Sequence, residues 1–192
     1  DPYYGGMPYI DYDVIAQAAG FHSIHVTGIP IYDRETALLP LSFVPLSEGQ
    51  RGAGATEIVI GRPAASMREM RYQEAPVEEP RVLRQVVIPN PITVHLGRPS
   101  AYASNVQVSF PDYVKNVASS EIYPTWPEAS LRANIYAIIT FALNRVFTEW
   151  YKSQGYNFDI TNSTAYDQAF VYGRPIYESI SRIVDNIFNE FV

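Results

Sequence analysis

The sequence has no cysteine. That excludes disulfides, thiolate metal sites and cysteine nucleophiles, and leaves the redox compartment open. It has no uninterrupted apolar run of the roughly 18 residues that a membrane span requires. Its most apolar stretch is broken by Arg145 and Glu149, so no transmembrane segment is expected. Basic residues are the minority, 14 Lys and Arg against 20 Asp and Glu, for a formal net charge of -6. That balance argues against general nucleic-acid binding. Histidine is scarce, with three copies. His22 and His25 lie three apart on an expected strand, where they point to opposite faces, and His95 is remote in sequence, so no metal site is expected. No Ser-His-Asp set, phosphate loop or dinucleotide fingerprint is present.

What is present is a chain of 192 residues, 47% hydrophobic and 18% charged. This is enough for one sizeable domain or two small ones and is not a disordered composition. Tyr and Pro each number fifteen. Both suit packing and turns, and amphipathic Tyr also suits stacking against sugars or proteins. The chain opens on Asp1 with no visible signal peptide and is expected to be a processed or trimmed form. Its last apolar helix pattern runs to Val192 without a stop signal, so continuation beyond that residue is expected.

The dominant pattern lies between Thr125 and Gly155. Leu131, Ile135, Ile138, Ile139, Ala142, Leu143, Val146 and Trp150 recur at helical spacing. Thr125 with Glu128 forms a capping-box pattern, and Lys152 with Gly155 a C-terminal stop. The spacing predicts one central helix of about 28 residues, on the order of 42 Å long, packed on several sides.

Upstream, DPYYGG at residues 1–6 reads as an arm. Val14 to Ala19 is expected to be a short helix capped by Asp13 and ended by Gly20. Strands are expected at Phe21–Ile31, Thr56–Ile60, Val82–Ile88, Ile92–Leu96 and Val106–Phe110. Leu38 to Leu46, broken by Pro40 and Pro45, fits an edge strand or an extended packed segment. The acidic stretch QEAPVEEP at 73–80 reads as a linker and places the domain boundary. Residues 1–80 then form a β-rich region and 81–192 a second domain. A Gly-Arg-Pro tripeptide recurs at 61, 97 and 173 and is read as a strand terminator. Pro111 and Asp112 open a helix that ends near Glu121, Tyr156–Ile160 is extended, Tyr166–Val171 is a candidate strand, and Pro175–Val192 is a closing helix. The expected fold class is α+β.

The stretch from Val106 to Ala142 is similar to the domain of the sporulation stage II protein D and LytB amidase-enhancer (SpoIID/LytB) family. A strand leads into Asp112-Tyr113-Val114, then Val117-Ala118-Ser119-Ser120-Glu121, then Pro124 and Trp126, then Glu128-Ala129, Leu131-Arg132-Ala133-Asn134 and Ala137. Family members carry a Val-x-x-Glu-Met-Pro-type turn and then a Glu-Ala-Leu-Lys-Ala-Gln-Ala-type helix at this offset. Gln168 and Gly173 match a weaker Gln-x-Tyr-x-Gly pattern, and the resemblance covers roughly residues 91–192.

The resemblance implies a bacterial cell-wall protein, outside the cytoplasm, that binds peptidoglycan glycan strands and acts as a lytic transglycosylase. Glu121 would be the catalytic acid and base, in a partly buried setting that raises its pKa. Tyr113, Tyr123, Trp126 and Gln168 would form the substrate-binding wall. No cofactor is implied. Two features depart from the family. Ile139 stands where active members carry a basic residue, and no Cys or His stands near Asn162–Tyr166, where the family has a metal motif. These departures feed the alternative reading, a non-enzymatic structural or self-assembling subunit of the cell envelope or spore surface, in which the arm or linker reaches a neighbouring subunit.

Overall fold

β-Branched and aromatic residues with short-range alternation set the first strands. The computed structural model describes residues 8–46, 55–60, 83 and 85–191. Strand β1 (Tyr9–Ala16) pairs antiparallel with β2 (Ile24–Tyr32). The helix expected over Val14–Ala19 is therefore not formed. So short a helix is marginal without packing, and Val14 and Ile15 instead join the ladder opposite Val26 and His25. Asp13 does not cap a helix; its Oδ1 accepts a hydrogen bond from Gly28 N at 2.9 Å, beside the register shift between Tyr12 and Val14. Gly28 has φ +71°, and a Cβ there would meet the Ile60 carbonyl oxygen at 2.6 Å. Only glycine suits that site.

Strand β3 is short (Ala37–Leu38), and the rest of the Pro-broken stretch touches the fold through a bridge between Phe21 and Pro45. Strand β4 (Thr56–Val59) adds parallel to β2, giving a sheet of order β1-β2-β4. Its small core is Ile24, Val26, Ile29 and Ile60. The linker at 73–80 and the first Gly-Arg-Pro lie outside the described residues.

Strands β5 (Ile92–His95) and β6 (Asn105–Val108) form an antiparallel hairpin, and β7 (Ile160–Thr161) adds parallel to β5. Among the described residues of the strand expected at Val82–Ile88, none lies in a sheet. Leu83 N donates instead to the Phe147 carbonyl, a free acceptor at a helix end.

Helix α1 (Phe110–Glu121) begins where Pro111 is tolerated in the first turn. Ser109 Oγ accepts from Asp112 N at 3.2 Å and donates to Asp112 Oδ2 at 2.6 Å. Helix α2 (Glu128–Phe147) has 20 residues, so it spans about 30 Å rather than 42 Å. Thr125 does not cap it. Pro127 pushes the residue before it out of helical geometry, and the helix starts from the Pro127 carbonyl, which accepts from Ser130 N and Leu131 N.

Helix α2 stops eight residues before Gly155. Trp150 N bonds to the Arg145 carbonyl and Glu149 N to that of Val146, the paired closure of a Schellman turn, with Glu149 at φ +48°. A glutamate at a position that glycine usually fills hid this end. A turn of 3-10 helix follows at Lys152–Gln154, and Gly155 (φ +87°) closes that turn instead. The buried residues of α2, Leu131, Ile135, Ile138, Ile139, Ala142 and Leu143, make one face, while Ala133, Ala137 and Asn144 are exposed. The helix is thus packed on one side.

No strand forms at Tyr166–Val171; Tyr166 N and Asp167 N turn back to the Ser163 carbonyl. The closing helix is α3 (Glu178–Ile187), shorter than expected because Ile176 and Tyr177 form β8 and pair with Leu38 and Ala37 of β3. The main core joins α1, α2 and α3 to the β5 hairpin and also takes in Tyr9 and Tyr32. The fold is α+β. Among the described residues, no helix is long and apolar enough to cross a membrane.

Candidate functional site

Glu121 is the last residue of α1 and is half-buried. Its Oε1 accepts a hydrogen bond from Ala169 N at 2.9 Å. Burial pushes its carboxyl pKa up, and the Ala169 N–H partly offsets this. Among the described residues, no hydrogen bond holds Oε2.

The segment around Ala169 is fixed by side chains of α1 rather than by a sheet neighbour. Asn116 accepts from Val171 N through Oδ1 at 2.9 Å and donates from Nδ2 to Val171 O at 2.8 Å. Its amide thus plays the part of a missing strand. Two turns along the helix from Tyr113, Glu121 completes the edge that meets this segment.

Tyr113 and Gln168, expected to bind substrate, are both buried, and they bond to each other. The Tyr113 hydroxyl donates to Gln168 Oε1 at 3.0 Å, and Gln168 Nε2 donates to the Ile138 carbonyl at 3.2 Å. The Tyr113 ring stacks on Phe170 with centroids 5.7 Å apart. Burial, and then the charges of Asp167 and Glu121, push the Tyr113 phenol well above its ordinary range. These two residues form the floor behind Glu121.

Tyr123 and Trp126 are half-buried and face a different set of partners. They pack edge-on to each other at 5.9 Å, and Tyr123 tilts against Tyr32, also at 5.9 Å. Tyr32 in turn meets Tyr9 and Tyr177 at 5.3 Å. The structure therefore brings Glu121, Tyr113 and Gln168 together around Ala169, and places Tyr123 and Trp126 in an aromatic cluster with the N-terminal strands.

Ile139 is fully buried in the main core, so its position offers no polar contact. Near Asn162–Tyr166 the side chains do not suit a metal: among the described residues, no three His, Asp or Glu groups converge. That loop is instead anchored by Asp167, whose side chain is fully buried. Asp167 accepts from Arg145 Nε at 2.8 Å, Tyr151 Oη at 2.5 Å, Thr161 N at 3.0 Å and Thr161 Oγ1 at 2.7 Å. Arg145 also lies over the rings of Phe141 and Trp150, at 4.9 and 4.5 Å. In the sequence Arg145 reads as a charge that interrupts an apolar helix; folded, it is the counter-ion of a buried carboxylate. Its helical spacing from buried Ile138 and Ala142 was the available signal.

A cleft of about 390 Å³ lies beside Ala169. Glu57, Ile58 and Val59 of β4 line one wall and Ala169, Phe170 and Tyr172 the other, with Asn162 and Thr164 also contributing. This cleft leaves no signal in the sequence, because its walls are far apart along the chain and carry no motif.

No curated protein and no solved structure matches this chain. The sequence model of one family does match. Helix α1, Glu121, helix α2 and the segment through Gly173 all fall within residues 100–186, which are similar to the SpoIID family, described as Stage II sporulation protein.

Proposed function

We propose that this chain is an extracytoplasmic protein that binds peptidoglycan glycan strands and cleaves them as a lytic transglycosylase, with Glu121 as the acid and base. The observation that carries the reading is the asymmetric setting of the Glu121 carboxyl. Ala169 N–H fixes Oε1, and burial favours the protonated form. Oε2 is then the oxygen open to a glycosidic bond.

In the reaction, Glu121 gives its proton to the bridging oxygen between two sugars as the bond to the anomeric carbon breaks. The resulting carboxylate takes the proton of the same sugar's 6-hydroxyl, and that oxygen closes on the anomeric carbon as an anhydro ring. One carboxyl group suffices, unlike the paired carboxylates of hydrolases. The buried Tyr113–Gln168 pair serves to hold the Ala169 segment in place, and Tyr123 and Trp126 offer their exposed edges to the glycan.

A second reading, a non-enzymatic structural or self-assembling subunit, is supported by Ile139, which is packed where a substrate-holding base would stand. One experiment separates the two. The protein is incubated with peptidoglycan stripped of stem peptides, and anhydro-muramic ends are sought by mass spectrometry, with Glu121→Gln as control. Anhydro ends that vanish in the variant are expected. Glycan retained in a pull-down without any anhydro ends would overturn the catalytic part and leave a glycan-binding scaffold.

A further inference from the structure

Among the described residues, the cleft between β4 and residues 169–172 has an unpaired strand edge along one wall. In the parallel pairing of β2 with β4, Thr56 N donates to Ser23 O and Ile60 N to Thr27 O, both at 2.8 Å. Alternate residues of a strand face the same neighbour. The main-chain groups of Thr56, Ile58 and Ile60 therefore point to β2, and those of Glu57 and Val59 point away from it. β4 is the last strand of its sheet, so among the described residues these outward groups have no ladder partner. Val59 is 71% exposed.

The opposite wall turns two of its main-chain donors elsewhere. Its Ala169 and Val171 N–H groups are committed to Glu121 and Asn116 of α1. The two walls draw together at Gly173, where a Cβ would lie 3.1 and 3.2 Å from the Ile58 side chain. Beyond that point they part to leave the open cleft.

We propose that this cleft takes an extended peptide segment bearing a basic side chain, which adds as a further strand to β4. The edge presents N–H and C=O groups at a two-residue repeat, a pattern that another peptide backbone matches and a sugar does not. Glu57 is the charged residue among the named lining side chains, in a chain of net charge -6. It selects Lys or Arg at the facing position of the added strand. A second copy of this chain's own outer strand is a poor occupant, since β1 would bring Asp11 and Asp13 toward Glu57.

The test uses the full chain and a short end-blocked peptide of alternating Val and Lys, with the alternating Val and Glu peptide and a chito-oligosaccharide as comparisons. Binding is read by calorimetry and by amide hydrogen exchange at Glu57 and Val59. The Val-Lys peptide is expected to bind saturably and to slow exchange at both amides, while the Val-Glu peptide does neither. Glu57→Lys and Val59→Pro should each weaken binding by about fivefold or more. Proline at 59 removes an outward N–H and spares the ladder to β2. The chito-oligosaccharide should leave both amides unprotected, which keeps this proposal separate from glycan cleavage. Unchanged exchange at Glu57 and Val59 with peptide present would overturn it. So would equal binding to parent and variants, or protection of the two amides by the oligosaccharide alone.

Discussion

The N-terminal sheet and the segment within residues 100–186 solve the same problem, satisfying backbone polar groups, by different means. In the sheet, β1, β2 and β4 pair with one another through a regular ladder. Its own core is four residues, and its outer strand leaves Ile10 and Ile15 66% and 63% exposed. In the helical segment the chain from Ala169 to Tyr177 has little sheet to join. Side chains of α1 do the pairing instead: Asn116 on Val171, Glu121 on Ala169, and Ser119, whose Oγ accepts from Tyr177 N at 3.4 Å. Ladder bonds are generic and tolerate side-chain change. Side-chain pairing is specific, and each member matters.

The comparison is tested most severely at Asp167. Asp167→Ala would leave Arg145, Tyr151 and Thr161 without their shared acceptor, beneath the loop that carries the 169–172 wall. Removing one partner of a buried ion pair costs about 3–5 kcal/mol, and a loss of that size is expected in urea unfolding. A midpoint within error of the parent would show that the network contributes no specificity.

A smaller effect is expected at Asn116. Asn116→Ala leaves Val171 N without its acceptor and Val171 O with the Arg174 N–H alone. A part-buried N–H left unpaired costs about 1–3 kcal/mol, and exchange of the Ala169 and Val171 amides should quicken together. Faster exchange at Val171 alone would mean that Glu121 holds Ala169 without help from Asn116.

The smallest effect belongs to the sheet. Ile15→Lys, on the exposed outer strand, should shift stability by no more than about 0.5 kcal/mol. A large loss would show that β1 is covered, contrary to its exposure here.

How legible each region was in the sequence follows from the same contrast. Strands β2, β4, β5 and β6 and helix α1 were readable because β-branched alternation and the helix start at Pro111 and Asp112 act locally. The α+β class followed from them, while the resemblance to the SpoIID family was carried by the residues from Asp112 to Ala137. The N-terminal strand was misread because Asp13 resembles a helix cap, when its carboxylate is used by Gly28 across the sheet. The end of α2 was misread because Glu149 adopts a left-handed conformation that sequence usually marks with glycine. Glu121 was visible through its family pattern, but its fixed oxygen was not, since Ala169 lies 48 positions away. Tyr113 and Gln168 were identified as positions that matter, and only the fold shows that they face each other.

The Tyr177 hydroxyl donates to the Pro30 carbonyl at 2.7 Å, across 147 positions of sequence. At equilibrium so wide a separation matters little, because each doubling of a loop adds only about 0.6 kcal/mol to its closure. Its weight is in time. On a growing chain Tyr32 emerges long before Tyr177, the ring that meets it edge-on, and β3 before its strand partner, β8. Throughout that interval the contacts to Tyr177 and β8 cannot form, and the open edges of the sheet face whatever else is in solution. This architecture makes the order of synthesis, rather than the depth of the native well, the period of greatest exposure to misassembly.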